Sequence, residues 1–312
     1  MIQDLPLNAK WIYITGENGI GKTILLQAIA LGLTNYEENI KHLTKGCELT
    51  IGFCQNGKHF RNNVVEKYNE DFTNINHHFI GYGPIRLITQ ASNSQNQESL
   101  NSSNIYNLFN KDGLLKNVDY LLLMSYIKES KVEFENLKNA IIKIVDNRLI
   151  NITMSIYGEM LYTEADELGN ELTIHNVDAL STGFQGLINL VGDIISRFSL
   201  INKDISYEQY EGIIIIDELE NHLHPIFQKK LPSLLSSIFP KVQFICSIHS
   251  PIPLLGALEN SVILNINRTS EEGITIERID QLFEFDKLNP NIILTSPILD
   301  LKIFSPLHMT QE

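Results

Sequence analysis

Two short stretches carry side chains able to act on a phosphate. Gly16-Glu17-Asn18-Gly19-Ile20-Gly21-Lys22-Thr23 fits the pattern GxxxxGK[ST], and Asp217-Glu218 follows four consecutive isoleucines, Ile213–Ile216. In the first stretch the glycines let the backbone curl until successive N–H groups face inward. The helix after it adds the partial positive charge of its N-terminus. Lys22 then reaches the β- and γ-phosphates of a nucleotide, and Thr23 offers its hydroxyl to Mg²⁺. Taken alone, the two acids read as a solvated strand end. The glycine loop upstream supplies the partner that makes them a site.

Both stretches need particular elements to hold them. Trp11–Thr15 (WIYIT) predicts a short apolar strand running into the glycine loop, and Thr23–Leu33 (TILLQAIALGL) predicts the helix leaving it. Ile213–Ile216 is too short to cross a membrane and too uniformly apolar to alternate, as a strand with one wet face would. It predicts a strand buried on both faces of a parallel sheet, with the acids at its carboxyl end, where open α/β sheets bind ligands. Val242–Ile248 predicts another buried strand, which delivers His249-Ser250-Pro251. Leu180-Ser181-Thr182-Gly183-Phe184-Gln185 opens an amphipathic helix, where a Ser-Thr-Gly start is most often an N-cap. Pro225 suits a first helical turn, Pro232 is expected to kink or divide the helix begun there, and Pro240 to end it.

Elsewhere the chain is plainer. Residues 34–78 read as polar and irregular apart from a strand-like piece at Glu48–Phe53. Phe79–Leu87 (FIGYGPIRL) is strand-like and ends in a turn with Arg86, placed either to face phosphate or to pin that turn. Ala91–Asn104 is a low-complexity polar stretch that reads as a mobile loop. Asn117–Ile150 has helical spacing and predicts two helices or one broken helix in a separate lobe. Asn151–Tyr157 and Leu172–Val177 predict strands leading back to the sheet, and Val262–Ile266 and Ile274–Ile279 two more.

At 312 residues and 43% hydrophobic content, one large core plus a subdomain is expected. The net charge of −13 argues against wholesale coating of nucleic acid or anionic membrane. Cys47, Cys54 and Cys246 lack metal-ligand spacing and read as reduced thiols of a cytoplasmic protein. No apolar run approaches twenty residues and no signal peptide is recognised, so the chain is expected neither to span a membrane nor to be exported.

Four signals stand in one order: GENGIGKT, LSTGFQ, IIIIDELE and SIHS. That order resembles the ATPase heads of the ABC superfamily, with Walker A, signature, Walker B and switch histidine. Within it, GYGPIR, DELENHLHP and QFICSIHSP resemble the SMC- and RecF-like AAA branch, nearest to the PtuA-type ATPases of Septu systems and the retron-associated ATPases. The resemblance covers Trp11 to about Pro253. It implies an α/β P-loop NTPase with a mostly parallel central sheet and an inserted helical lobe. The expected parts are a P-loop lobe over 1–90, the helical lobe with returning strands over 91–178, and the signature, Walker B and switch part with the tail over 179–312.

The resemblance also implies roles. ATP and Mg²⁺ are the expected ligands, with Gly16, Glu17, Asn18, Gly19, Gly21 and Lys22 on phosphate, and Thr23 and Asp217 on the metal. Glu218 polarises the attacking water, and His249 senses the γ-phosphate. Ser181, Gly183 and Gln185 address the nucleotide of a second copy, which implies a head-to-tail homodimer with two ATP molecules between protomers. His222 and His224 fall in the inter-subunit loop, and Gln90 lies near the position of the family's glutamine loop. Related heads begin with further strands before the P-loop strand, so the amino-terminal lobe reads as shortened. No TOPRIM-like or HNH-like cluster is found, so any chemistry on nucleic acid is expected from a separate effector such as a nuclease.

The function so implied is a cytoplasmic ATP hydrolase whose nucleotide cycle controls that effector in phage defence or genome maintenance. The alternative is a nucleotide-gated scaffold with negligible hydrolysis that holds a toxin or nuclease inactive. An ATP-binding transporter subunit shares the four motifs but not GYGPIR or the ENHLHP continuation. Stimulation by DNA is also open.

Overall fold

Runs of β-branched and aromatic residues in this chain become parallel strands because both of their faces are covered. The structure is a computed structural model and describes residues 5–6, 8–34, 48–55, 57–65, 67–68, 72–75, 78–88, 103–146, 148–166, 168–202, 204–269 and 273–282. Gln90, residues 91–102, Cys47 and the tail beyond 282 lie outside the described residues.

In chain order the elements begin with β1 (Trp11–Gly16), α1 (Lys22–Leu33), β2 (Glu48–Gln55), β3 (Lys58–Val65), β4 (Lys67–Tyr68), β5 (Phe79–Tyr82) and β6 (Leu87–Ile88). Next come α2 (Tyr106–Phe109), β7 (Leu114–Leu115), α3 (Val118–Ile127), α4 (Lys131–Ile144), β8 (Leu149–Met154), β9 (Met160–Ala165) and β10 (Glu171–His175). The last are α5 (Thr182–Ser199), β11 (Glu211–Ile216), α6 (Pro225–Ile238), β12 (Lys241–Ser247), β13 (Val262–Thr269) and β14 (Gly273–Arg278).

The central sheet runs β14-β13-β1-β12-β11-β5, and every pairing is parallel except that of β14 with β13. Ile214, Ile215 and Ile216 are fully buried, between Phe244–Cys246 of β12 on one side and Ile80–Tyr82 of β5 on the other. One face packs on α1 and the β2–β3 hairpin through Ile14, Leu26, Ala30, Phe79 and Ile215. The other carries α3 to α6 in one continuous core that includes Leu137, Ile141, Ile188, Ile195, Leu231 and Leu235. The chain is therefore an α/β P-loop fold, with the helices of residues 118–144 inserted between sheet strands β5 and β11. β12 lies between β1 and β11, so the segments leaving all three emerge together along one edge of the sheet.

Three expectations differ from what the structure contains. Residues 48–65 form an antiparallel hairpin rather than one strand in an irregular stretch. Its second strand is hidden in the sequence because Asn62, a polar residue, faces inward. It is 1% exposed, and its amide donates to the carbonyls of Gly32 at 2.8 Å and Thr73 at 2.9 Å. Residues 149–175 form a separate three-stranded antiparallel sheet through β9, a strand the sequence reading passes over. Asp119 at the start of α3 holds it by accepting from the Tyr162 hydroxyl at 2.6 Å and the Val177 N–H at 3.0 Å. Finally, Pro232 does not divide α6, which continues through it from Pro225 to Ile238. Full burial of Leu231, Leu235 and Ile238 outweighs the ladder bond that proline removes.

Candidate active site

β1 ends at Gly16, whose φ is 138° and whose Cβ position would lie 2.5 Å from the Ile266 carbonyl oxygen, so no side chain fits there. Gly21 precedes α1 at φ 111°. Between them the chain reverses, and the Lys22 side chain folds back across the loop. Its Nζ donates to the carbonyls of Gly16 at 2.6 Å and Glu17 at 3.1 Å. Burial lowers its pKa, against the opposing pull of Asp217, Glu220 and Glu218. Glu17 and Asn18 line an open cleft of about 430 Å³ with Thr15, Gly16, His249 and Ser250.

The acids after β11 face this loop. Thr23 donates its hydroxyl to Asp217 Oδ2 at 2.7 Å across 194 residues of sequence. The other oxygen, Oδ1, accepts from the hydroxyl of Ser247, the last residue of β12. Ser247 also accepts the Glu218 N–H at 2.8 Å, so one fully buried hydroxyl joins both acids. Arg86 settles the rest of the turn. Its guanidinium donates to the Asp217 carbonyl at 2.8 Å and the Glu218 carbonyl at 3.0 Å. Arg86 also donates to the Gly83 carbonyl at 3.3 Å and so pins its own turn, one of the two roles the sequence leaves open, while tying that turn to the acids.

These contacts hold Glu218 at φ 51°, a left-handed conformation uncommon for a non-glycine residue. From there its Oε1 lies 3.2 Å from His249 Nε2. A second cleft of about 370 Å³ lies beside Glu218, Asn221, His222 and Gln228 and shares His249 and Ser250 with the first.

The side chains present fit Mg²⁺. A threonine hydroxyl and a carboxylate 2.7 Å apart are hard oxygen donors, the set such an ion prefers. Among the described residues no group of three or more His, Cys, Asp or Glu could hold a metal, so a softer transition-metal centre has no such cluster there. Likewise no described helix is long and apolar enough to cross a membrane.

Ser181 is the exposed N-cap of α5, and its hydroxyl makes no capping bond. Gly183 is near the His222 carbonyl, with 3.9 Å from its Cβ position to that oxygen. Gln185 donates to the carbonyls of Asp178 and Leu180, both at 2.8 Å, and so staples the loop entering α5. Among the described residues no hydrogen bond joins Ser181 or Gly183 to Gly16–Thr23 of the same chain. His224 caps α6 by accepting the Ile226 N–H at 3.4 Å. Sequence reasoning assigns no role to Ser247 or Glu220. The only signal for them is position, at the end of a buried strand and two residues past Glu218.

Residues 68–252 match a family model described as "AAA domain, putative AbiEii toxin, Type IV TA system". The chain belongs to this AAA family. The AAA chain is 31% identical over 310 residues to the Septu protein PtuA of Bacillus mycoides (strain KBAB4), covering 94% of this chain and 41% of that protein. It is 32% identical over 200 residues to the Retron Vc95 probable ATPase of Vibrio cholerae serotype O1 biovar El Tor, covering 64% of this chain and 34% of that one. It thus spans less than half of either relative. Septu and retron ATPases are the two kinds of relative that GYGPIR, DELENHLHP and QFICSIHSP imply. Among solved structures, the SMC head domain from Thermotoga maritima aligns at a TM-score of 0.47 and 13% identity, over 86% of this chain and 90% of that one.

Proposed function

We propose that this AAA chain binds ATP with Mg²⁺ and hydrolyses it between two copies arranged head to tail, and that the cycle controls a separate effector. The observation that carries the reading is the convergence of Lys22, the Thr23–Asp217 pair at 2.7 Å and the Glu218–His249 pair at 3.2 Å at the ends of adjacent parallel strands. Phosphoryl transfer asks mainly for positioning and charge stabilisation. Lys22 and the loop N–H groups hold the β- and γ-phosphates. Thr23 and Asp217 would hold Mg²⁺, which supplies positive charge to those phosphates when bound. Glu218 accepts a hydrogen bond from the attacking water and orients it, and His249 holds Glu218 in place.

Ser181 supports the two-copy arrangement. An exposed hydroxyl with no capping bond, opening an 18-residue helix, is suited to phosphate, and no described hydrogen bond ties it to the P-loop of its own chain. The likeness to Septu PtuA and a retron ATPase supports work in the cytoplasm in phage defence, with a nuclease or other effector as a separate protein.

Steady-state ATP turnover by Glu218→Gln tests the reading. Turnover should fall on the order of 10²-fold or more, the usual worth of a general base, with ATP binding kept. Unimpaired turnover would remove Glu218 from the mechanism. ATP occupancy without turnover in the unaltered chain would make it the nucleotide-gated scaffold instead.

A further inference from the structure

Glu220 is only 6% exposed, lies two residues past Glu218 and lines the cleft that Glu218 and His249 share. Its Oε1 accepts two consecutive backbone N–H groups, His249 at 2.5 Å and Ser250 at 2.6 Å. An ionised acceptor makes such bonds stronger than a neutral one would. The same loop is held from the opposite side by β1, through the Ile248 N–H to the Ile14 carbonyl at 3.0 Å. The His249 backbone is therefore fixed between the P-loop strand and the Glu220 side chain, and its imidazole reaches Glu218 from there.

Glu220 is tied in turn to the 221–224 turn. Its carbonyl accepts the Leu223 N–H at 3.1 Å, and the Asn221 side chain donates to the Pro84 carbonyl at 3.0 Å. His222, at φ 64°, presents its carbonyl toward Gly183 at the start of α5. Glu220 thus links the loop bearing His249, through its side chain, to the turn beside Gly183, through its backbone.

We infer that Glu220 is a positioning residue: its buried carboxylate sets the His249 backbone so that the imidazole stays on Glu218, and makes that setting depend on the 221–224 turn. This rests on the proposed ATP hydrolysis at the same site.

The test compares Glu220→Ala and Glu220→Gln in the full chain. Three quantities are read: turnover, affinity for a fluorescent ATP analogue, and the His249 Cε1–Hε1 resonance, assigned by its loss in His249→Asn. In Glu220→Ala, kcat should fall on the order of 10- to 100-fold, the effect of misplacing a group by about 1 Å, while KM and affinity stay within about threefold. The His249 resonance should move. Glu220→Gln keeps an acceptor oxygen and should recover most of the turnover and the resonance position. If Glu220→Ala does not fold, Glu220→Asp, one methylene shorter, carries the same expectation. Unchanged kcat, an unmoved resonance, or a joint loss of kcat and affinity would each overturn the inference. If the unaltered chain binds ATP without turning it over, the ATPase reading fails, and the resonance alone still decides the role of Glu220.

Discussion

Ser247 shows how much of the site rests on one small side chain. Its hydroxyl donates to Asp217 and accepts from the Glu218 N–H, so Ser247→Ala leaves a buried carboxylate oxygen and a backbone donor short of a partner. A loss of about 1–3 kcal/mol in unfolding free energy is expected by chemical denaturation. Turnover should drop more than ATP affinity, because the left-handed turn at Glu218 loses a support while the Lys22 loop keeps its own contacts. Equal loss of both would place Ser247 in binding rather than in the geometry of the acids. No periodicity announces this residue. In the sequence it is one more small residue in VQFICSI.

At the scale of elements, β5 and α5 are joined by a buried ionic cluster. Asp193 is fully buried. It accepts from Arg197 Nε at 2.6 Å, from the Tyr82 hydroxyl at 2.7 Å and from the Lys116 N–H at 3.2 Å. Tyr82 ends β5, and its carbonyl receives the Asp217 N–H at 2.8 Å, so the cluster braces the strand beside Asp217 and Glu218. Asp193→Asn strands the Arg197 guanidinium and should cost about 3–5 kcal/mol at neutral pH. Burial pushes the Asp193 pKa up, but the Arg197 charge overrides it and leaves the carboxyl below its usual range. A depressed folded-state pKa contributes stability above the unfolded carboxylate range and loses it as pH falls through the folded value. Thermal unfolding should therefore show the wild-type melting temperature falling faster than that of Asp193→Asn below roughly pH 4. Parallel acid limbs would mean that Asp193 is not ionised in the fold. The helix pattern of α5 is legible from Leu187, Leu190, Val191, Ile194 and Ile195. That its polar residues Asp193 and Arg197 also point inward is not, since their partner Tyr82 lies 111 residues away from Asp193.

At the scale of the whole molecule, a single chain brings together Lys22, Thr23, Asp217, Glu218 and His249 but leaves Ser181 exposed, with no hydrogen bond to that set among the described residues. If a second copy supplies Ser181, Glu218→Gln with ATP should double the solution mass from that of one 35.5 kDa chain, measured by light scattering. Ser181→Arg in the same background should stay at the mass of one chain. It places a bulky cation at an exposed cap, where the fold has room for it. ATP-independent mass, or a dimer untouched by that substitution, would defeat the shared site.

The sequence by itself determined which residues could meet phosphate and which strands would be buried. Both are local properties: the glycine loop has its spacing built in, and Ile213–Ile216 has no polar face to show. Tertiary structure alone decided how the acids are held. Arg86, Ser247 and Glu220 act through bonds that span 131, 30 and 29 residues and leave no local pattern. It also decided the two antiparallel sheets, because an inward Asn62 and the middle strand, β9, find their partners only once the surrounding chain has packed.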